Sequence, residues 1–234
     1  MAAPHDPQAR AYRHALHAFL VLLCLAAAML AVLPTAMGPS STGMRTPIIA
    51  FELARSEAEV AELFGSESVR GAQIAAMDLG NRLDFAFLIA YGAALFLLAR
   101  ALYPARPSAA RAAQALALAA VIFDVLENLR LLAITRALSE GQGYARHVDF
   151  LVVFTWGKWG AIALAFLSLS SVLWSDKALV ARALAVASVF NALCTTAAFF
   201  ARGTWAELMG SAVPLCFLLG FVLCVQRSAL RSRS

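Results

Sequence analysis

Residues 119–134 read AAVIFDVLENLRLLAI. The stretch is apolar enough to lie in a bilayer, yet Asp124, Glu127, Asn128 and Arg130 fall within it. Read as a helix, Asp124, Glu127, Asn128 and Leu131 are spaced i, i+3, i+4, i+7 and share one face. A polar stripe on an otherwise apolar helix belongs inside a helix bundle, because a lone charge facing lipid is costly. Arg130 stands three residues after Glu127, in position to pair with it.

The rest of the chain supports a membrane setting. Of 234 residues, 62% are hydrophobic and 14% charged, where soluble domains carry about a quarter charged residues. Mean hydropathy is +0.75. Six apolar segments, at 15–37, 83–99, 112–135, 148–174, 183–201 and 208–225, come close to the roughly 20 residues that cross a bilayer as a helix. Helices satisfy their own backbone groups, which lipid cannot do. The expected fold is therefore all-α: a polytopic membrane bundle of about six transmembrane helices. Its parts are a tail at 1–14, a first span at 15–37, an outer connector at 38–82, a five-helix bundle at 83–225 and a basic tail at 226–234. The run after Arg10 and Arg13 is longer than the apolar core of a secretory signal, so the first segment is read as an uncleaved span.

The net charge of +5 is read as topology, not as an affinity for nucleic acid, because the basic residues gather at segment ends. With both termini on the cytoplasmic side, the cytoplasmic pieces hold ten Lys/Arg against Asp6 and Asp176, and the outer pieces hold seven basic and nine acidic residues. That bias has the sign of the positive-inside rule. The Ala/Arg-rich composition suits a bacterial inner membrane. In the outer connector, Ser56 and Glu59 have capping-box spacing, and Val60, Leu63 and Phe64 follow at helical intervals. They predict a short amphipathic helix at the outer membrane surface, either a packed connector or a lid. A second helical stretch, SVRGAQIAAMDLGNR, leads into the second span.

Polar residues recur in the other spans. Asp84 and Tyr91 share a face of the second, Lys158 lies between Trp156 and Trp159 in the fourth, and Asn191 lies in the fifth with Thr195 one turn on. At 1.5 Å per residue, Glu127, Asp124, Lys158 and Asn191 fall roughly 13–18 Å below the outer surface. The candidate ligand-binding set is therefore Asp84, Tyr91, Asp124, Glu127, Asn128, Lys158 and Asn191. Its formal charge over Asp84, Asp124, Glu127 and Lys158 is −2, an imbalance that a proton or a bound cation relieves. Cys24, Cys194, Cys216 and Cys224 form no C-x-x-C pair, and the histidines do not cluster, so neither a metal site nor a cofactor is expected.

Three segments, TPIIAFELA (46–54), LDFAFLIAYG (83–92) and FDVLENLRLL (123–132), resemble an uncharacterised group of bacterial multi-span membrane proteins. The resemblance implies shared polar positions at Asp84 and Tyr91, then Asp124, Glu127 and Asn128, then Lys158. It covers roughly residues 46–165 and implies no reaction. G-x-S-x-G and H-E-x-x-H are absent. Three functions stay open: binding or transport of a small cationic or amine ligand or of protons, an enzyme acting on a lipid or isoprenoid by carboxylate acid/base chemistry, and a structural or accessory subunit. The expected partners are the bilayer and a small-molecule or lipid ligand.

Overall fold

The computed structural model describes residues 7–36, 38 and 41–230. Eight helices follow in order: α1 (Pro7–Val32), α2 (Pro47–Glu52), α3 (Glu57–Phe64), α4 (Glu67–Leu102), α5 (Pro107–Ser139), α6 (Ala145–Ser175), α7 (Leu179–Phe200) and α8 (Thr204–Leu230). The six long helices pack in chain order, each on the next, and α8 returns to α1. The bundle is thus a closed ring. Large apolar side chains such as Leu30, Leu193 and Phe200 are exposed on its outside, as expected of a surface that meets lipid.

Five of these helices, α1, α4, α6, α7 and α8, are long and apolar enough to cross a membrane, rather than the six expected. The exception is the helix that carries the opening stretch. α5 has ample length, at 33 residues, but Asp124, Glu127 and Arg130 interrupt its apolar part. It is lodged between α4 and α6. The helix bounds also differ from the apolar bounds. α1 begins at Pro7 instead of 15, and α4 begins at Glu67, so the second half of the 38–82 connector is the start of the second span. Apolarity marks what lipid covers, whereas a helix continues for as long as its backbone bonds do.

The ring interior is filled by aromatics. Phe217 of α8 meets Phe19, Tyr91 and Phe166 with ring centroids 6.3, 6.1 and 5.1 Å apart. Small residues bring helices close where the polar residues lie. A Cβ on Gly157 would stand 2.6 Å from Phe123. The neighbours of those two residues are Lys158 and Asp124, so this bare backbone sets the α5–α6 spacing that the polar pair needs.

The remaining connector forms a cap over one end of the ring. Ser56 caps α3 by accepting from the Glu59 amide. Glu59 reaches back to the Arg55 amide at 2.9 Å, a variant of the reciprocal box. Val60, Leu63 and Phe64 are buried, but in protein rather than against a membrane surface. Phe51 of α2 packs edge-on to Phe64 at 5.0 Å, and both are fully covered.

Three ties hold the cap down. Arg202 of the α7–α8 loop donates to both Glu59 oxygens at 2.6 and 2.8 Å and to the Leu53 carbonyl at 2.7 Å. Glu207 accepts from the Arg45 and Thr46 amides. Glu57 accepts from the Tyr144 amide of the α5–α6 loop.

Burial pushes the Glu59 carboxyl up, but the hydrogen bonds and charge of Arg202 and the Arg55 amide outweigh it and hold the group below the usual carboxylate range. A depressed folded-state pKa stabilises above the unfolded value, near 4.3, and that contribution is lost as pH falls through the folded value. Protection of the amides in residues 46–64, relative to their intrinsic exchange rate at each pH, is therefore expected to drop below pH ~4. In Arg202→Gln the cap is expected to be looser at neutral pH and less sensitive to acid. An acid response in that variant equal to wild type would show that this pair does not hold the cap.

Candidate functional site

Beneath the cap, α4, α5 and α6 bring their polar faces together around one ammonium. Lys158 Nζ ion-pairs with Glu127, stands 3.1 Å from Glu52 Oε2 and 3.5 Å from Asp124 Oδ1. The Lys158, Asp124 and Glu127 side chains are 6%, 3% and 0% exposed, so water contributes little screening.

A ladder of hydrogen bonds joins α4 to α5 along this face. Tyr91 Oη donates to Asp124 Oδ2 at 2.8 Å, Asn128 Nδ2 to Asp84 Oδ2 at 2.5 Å, and Thr135 Oγ1 to Asp78 Oδ1 at 2.7 Å. The two helices run antiparallel, so the three rungs ascend one and descend the other. Six of the seven expected residues, Asp84, Tyr91, Asp124, Glu127, Asn128 and Lys158, belong to this assembly.

The seventh does not. Asn191 of α7 is fully buried, and neither its amide oxygen nor its amide nitrogen has a hydrogen-bond partner among the described residues; Thr195 Oγ1 is in the same condition. The expected Arg130–Glu127 pair does not form either. Arg130 lies over the Phe150 ring at 5.3 Å, with His147 Nδ1 3.4 Å from its Nη1. The two are neighbours at i and i+3, but Glu127 turns inward to Lys158 and Thr155 while Arg130 turns to Phe150 and His147.

Three further residues complete the site, Glu52 and Thr155 being the two that were not anticipated. Glu52, the last residue of α2, lays its carboxylate on Lys158 and accepts from Trp159 Nε1 at 3.1 Å. The cap thus supplies part of the site. Thr155, one turn before Trp159, places its hydroxyl 2.9 Å from the Glu52 carbonyl and 2.5 Å from Glu127 Oε1. Trp159 is the third, with Lys158 Nζ 5.1 Å from its ring centroid. A carboxylate inside the apolar run PIIAFELA was the available signal for Glu52.

The formal charge over Glu52, Asp84, Asp124, Glu127 and Lys158 is −3, more negative than the sequence suggested. The site is bounded on the cap side by α2 and on the far side by Tyr91 and the Phe217 cluster. Among the described residues no three His, Cys, Asp or Glu side chains stand in an arrangement that could hold a metal ion. The middle of the carboxylates is taken by Lys158.

No protein-family model, curated protein or solved structure matches the chain.

Proposed function

We propose that this membrane protein binds protons at the Lys158 centre and exchanges them with the aqueous phase on the cap side. Its setting is a bacterial inner membrane with both termini in the cytoplasm. The excess of Lys and Arg at the end opposite the cap supports that orientation, and Gln8 and Arg227 line one cavity at that end.

The observation that carries the reading is the Thr155 bridge. A hydroxyl has one hydrogen, and a carbonyl only accepts. In this reading Thr155 gives its hydrogen to the Glu52 carbonyl, 2.9 Å away, and Glu127 Oε1, 2.5 Å from the hydroxyl, carries a proton and donates it to Thr155 Oγ1. Glu127 Oε2 then accepts from the Lys158 ammonium. One proton on Glu127 also relieves part of the −3 charge. An external amine would have to displace a tethered ammonium from the same position, which favours protons over an amine ligand. The Phe217 cluster separates the site from the opposite end, so exchange is assigned to the cap side.

Infrared difference spectroscopy of purified protein tests this. At neutral pH a protonated-carboxyl C=O band is expected that fades on alkaline titration. It should be absent in Glu127→Gln and intact in Asp176→Asn. A wild-type protein without that band, or with one indifferent to Glu127→Gln, would leave the cluster as helix-pinning ion pairs.

A further inference from the structure

At the end opposite the cap, α1 starts against the last turn of α4, where the Gln8 amide donates to the Ala101 carbonyl at 3.3 Å. A groove of about 740 Å³ opens there, within the usual range for a small-molecule site. Its wall is apolar, with Ala11 and Phe96, and its rim carries Arg10, His14, Arg100 and Tyr103. Arg10 and His14 are one turn apart and share a face of α1. Arg100 approaches from α4. Arg111 donates to the Tyr103 hydroxyl at 3.1 Å and brings another cation to the rim. The start of α1 adds the positive end of a 26-residue helix dipole.

No acidic residue lines this groove among the described residues. None of Arg10, His14 and Arg100 has a carboxylate within ion-pair distance among those residues either. Cations held over an apolar wall at the end of a bundle match one chemistry: a phosphate headgroup with an acyl chain below it.

We propose that this groove binds one anionic phospholipid, with its phosphate between Arg10 and Arg100 and its chain along Phe96. The inference does not depend on the protonation of the Lys158 centre, which lies toward the opposite end.

Native mass spectrometry of the full chain in detergent tests it, with phosphatidylglycerol and phosphatidylcholine as probes. One phosphatidylglycerol per chain should be retained in preference to phosphatidylcholine. Each basic residue near a headgroup contributes enough that Arg10→Gln/Arg100→Gln should weaken retention roughly tenfold to thirtyfold. Arg136→Gln/Arg146→Gln, at the cap end, should leave it unchanged. Arg10→Lys/Arg100→Lys, which keeps the charge, should restore most of it and so separates lost binding from lost folding.

Equal retention of the two lipids, or equal loss in both Gln pairs, would mean diffuse attraction and overturn the proposal. Displacement of the lipid by inorganic phosphate or glycerol 3-phosphate would overturn it too, by assigning the groove to free phosphate.

Discussion

Lys158→Met is expected to cost about 3–5 kcal/mol of stability, the usual penalty for leaving a buried charge without its partner. Methionine replaces the stem of the side chain and removes only the ammonium, so packing against Trp159 is largely kept. What remains is Glu52 and Asp124 as charged groups beside the Glu127 carboxyl, with no cation between them. Like charges at that range must take up protons or separate, and separation means that Glu52 leaves and the cap loosens. Equilibrium unfolding in mild detergent with increasing SDS measures the loss. Adding Asp124→Asn to Lys158→Met should recover a substantial part of it, because one of the two stranded charges is then gone. A Lys158→Met protein as stable as wild type would show that the carboxylates are already neutral without the lysine, and would remove the reason for placing an ion pair at the centre.

Phe51→Ala should have a similar intrinsic cost, about 3–5 kcal/mol for emptying a fully buried aromatic position, but a different outcome. The loss falls on a six-residue helix held by Phe64 and by hydrogen bonds from the loops. The cap is therefore expected to open locally while the ring stays folded. Trypsin should then cut after Arg55, whose guanidinium donates to the Phe199 carbonyl at 3.1 Å in the closed state, much faster than in wild type. The infrared response of Glu127 should become faster to exchange as well, since the route from the aqueous side is uncovered. An unchanged cleavage rate would show that the Arg202 and Glu207 ties hold the cap without its aromatic core.

Much of the fold could be read from the chain because lipid imposes a simple condition on composition. Apolar length located five spans, and the Ser56–Glu59 spacing located α3. The polar cluster was legible in part for the same reason: Asp84, Tyr91, Asp124, Glu127, Asn128 and Lys158 stand out against apolar neighbours, and helical spacing puts them on inward faces. Periodicity reports which face a residue takes within its own helix and nothing about partners on other elements. That is why Arg130 was paired with Glu127 when its contacts are Phe150 and His147, and why Asn191 was grouped with a cluster it does not touch. Glu52 escaped for a further reason. It sits in a segment outside every span, and only the folding back of α2 between α5, α6 and α8 carries it to Lys158.

The charges that exclude α5 from the apolar helices bear on how the protein is made. A charged residue at the centre of a segment costs about 2.5–3.5 kcal/mol when the translocon partitions it, and each leucine returns only a few tenths. Asp124, Glu127 and Arg130 together outweigh what the leucines of α5 return. The neutralising lysine lies on α6, which leaves the ribosome afterwards. α5 therefore cannot enter the bilayer by itself in the order of synthesis. Entry of α5 together with α6, with Lys158 against its carboxylates, is the expected route. On that route the ion pair of the site is also expected to matter when the protein is made.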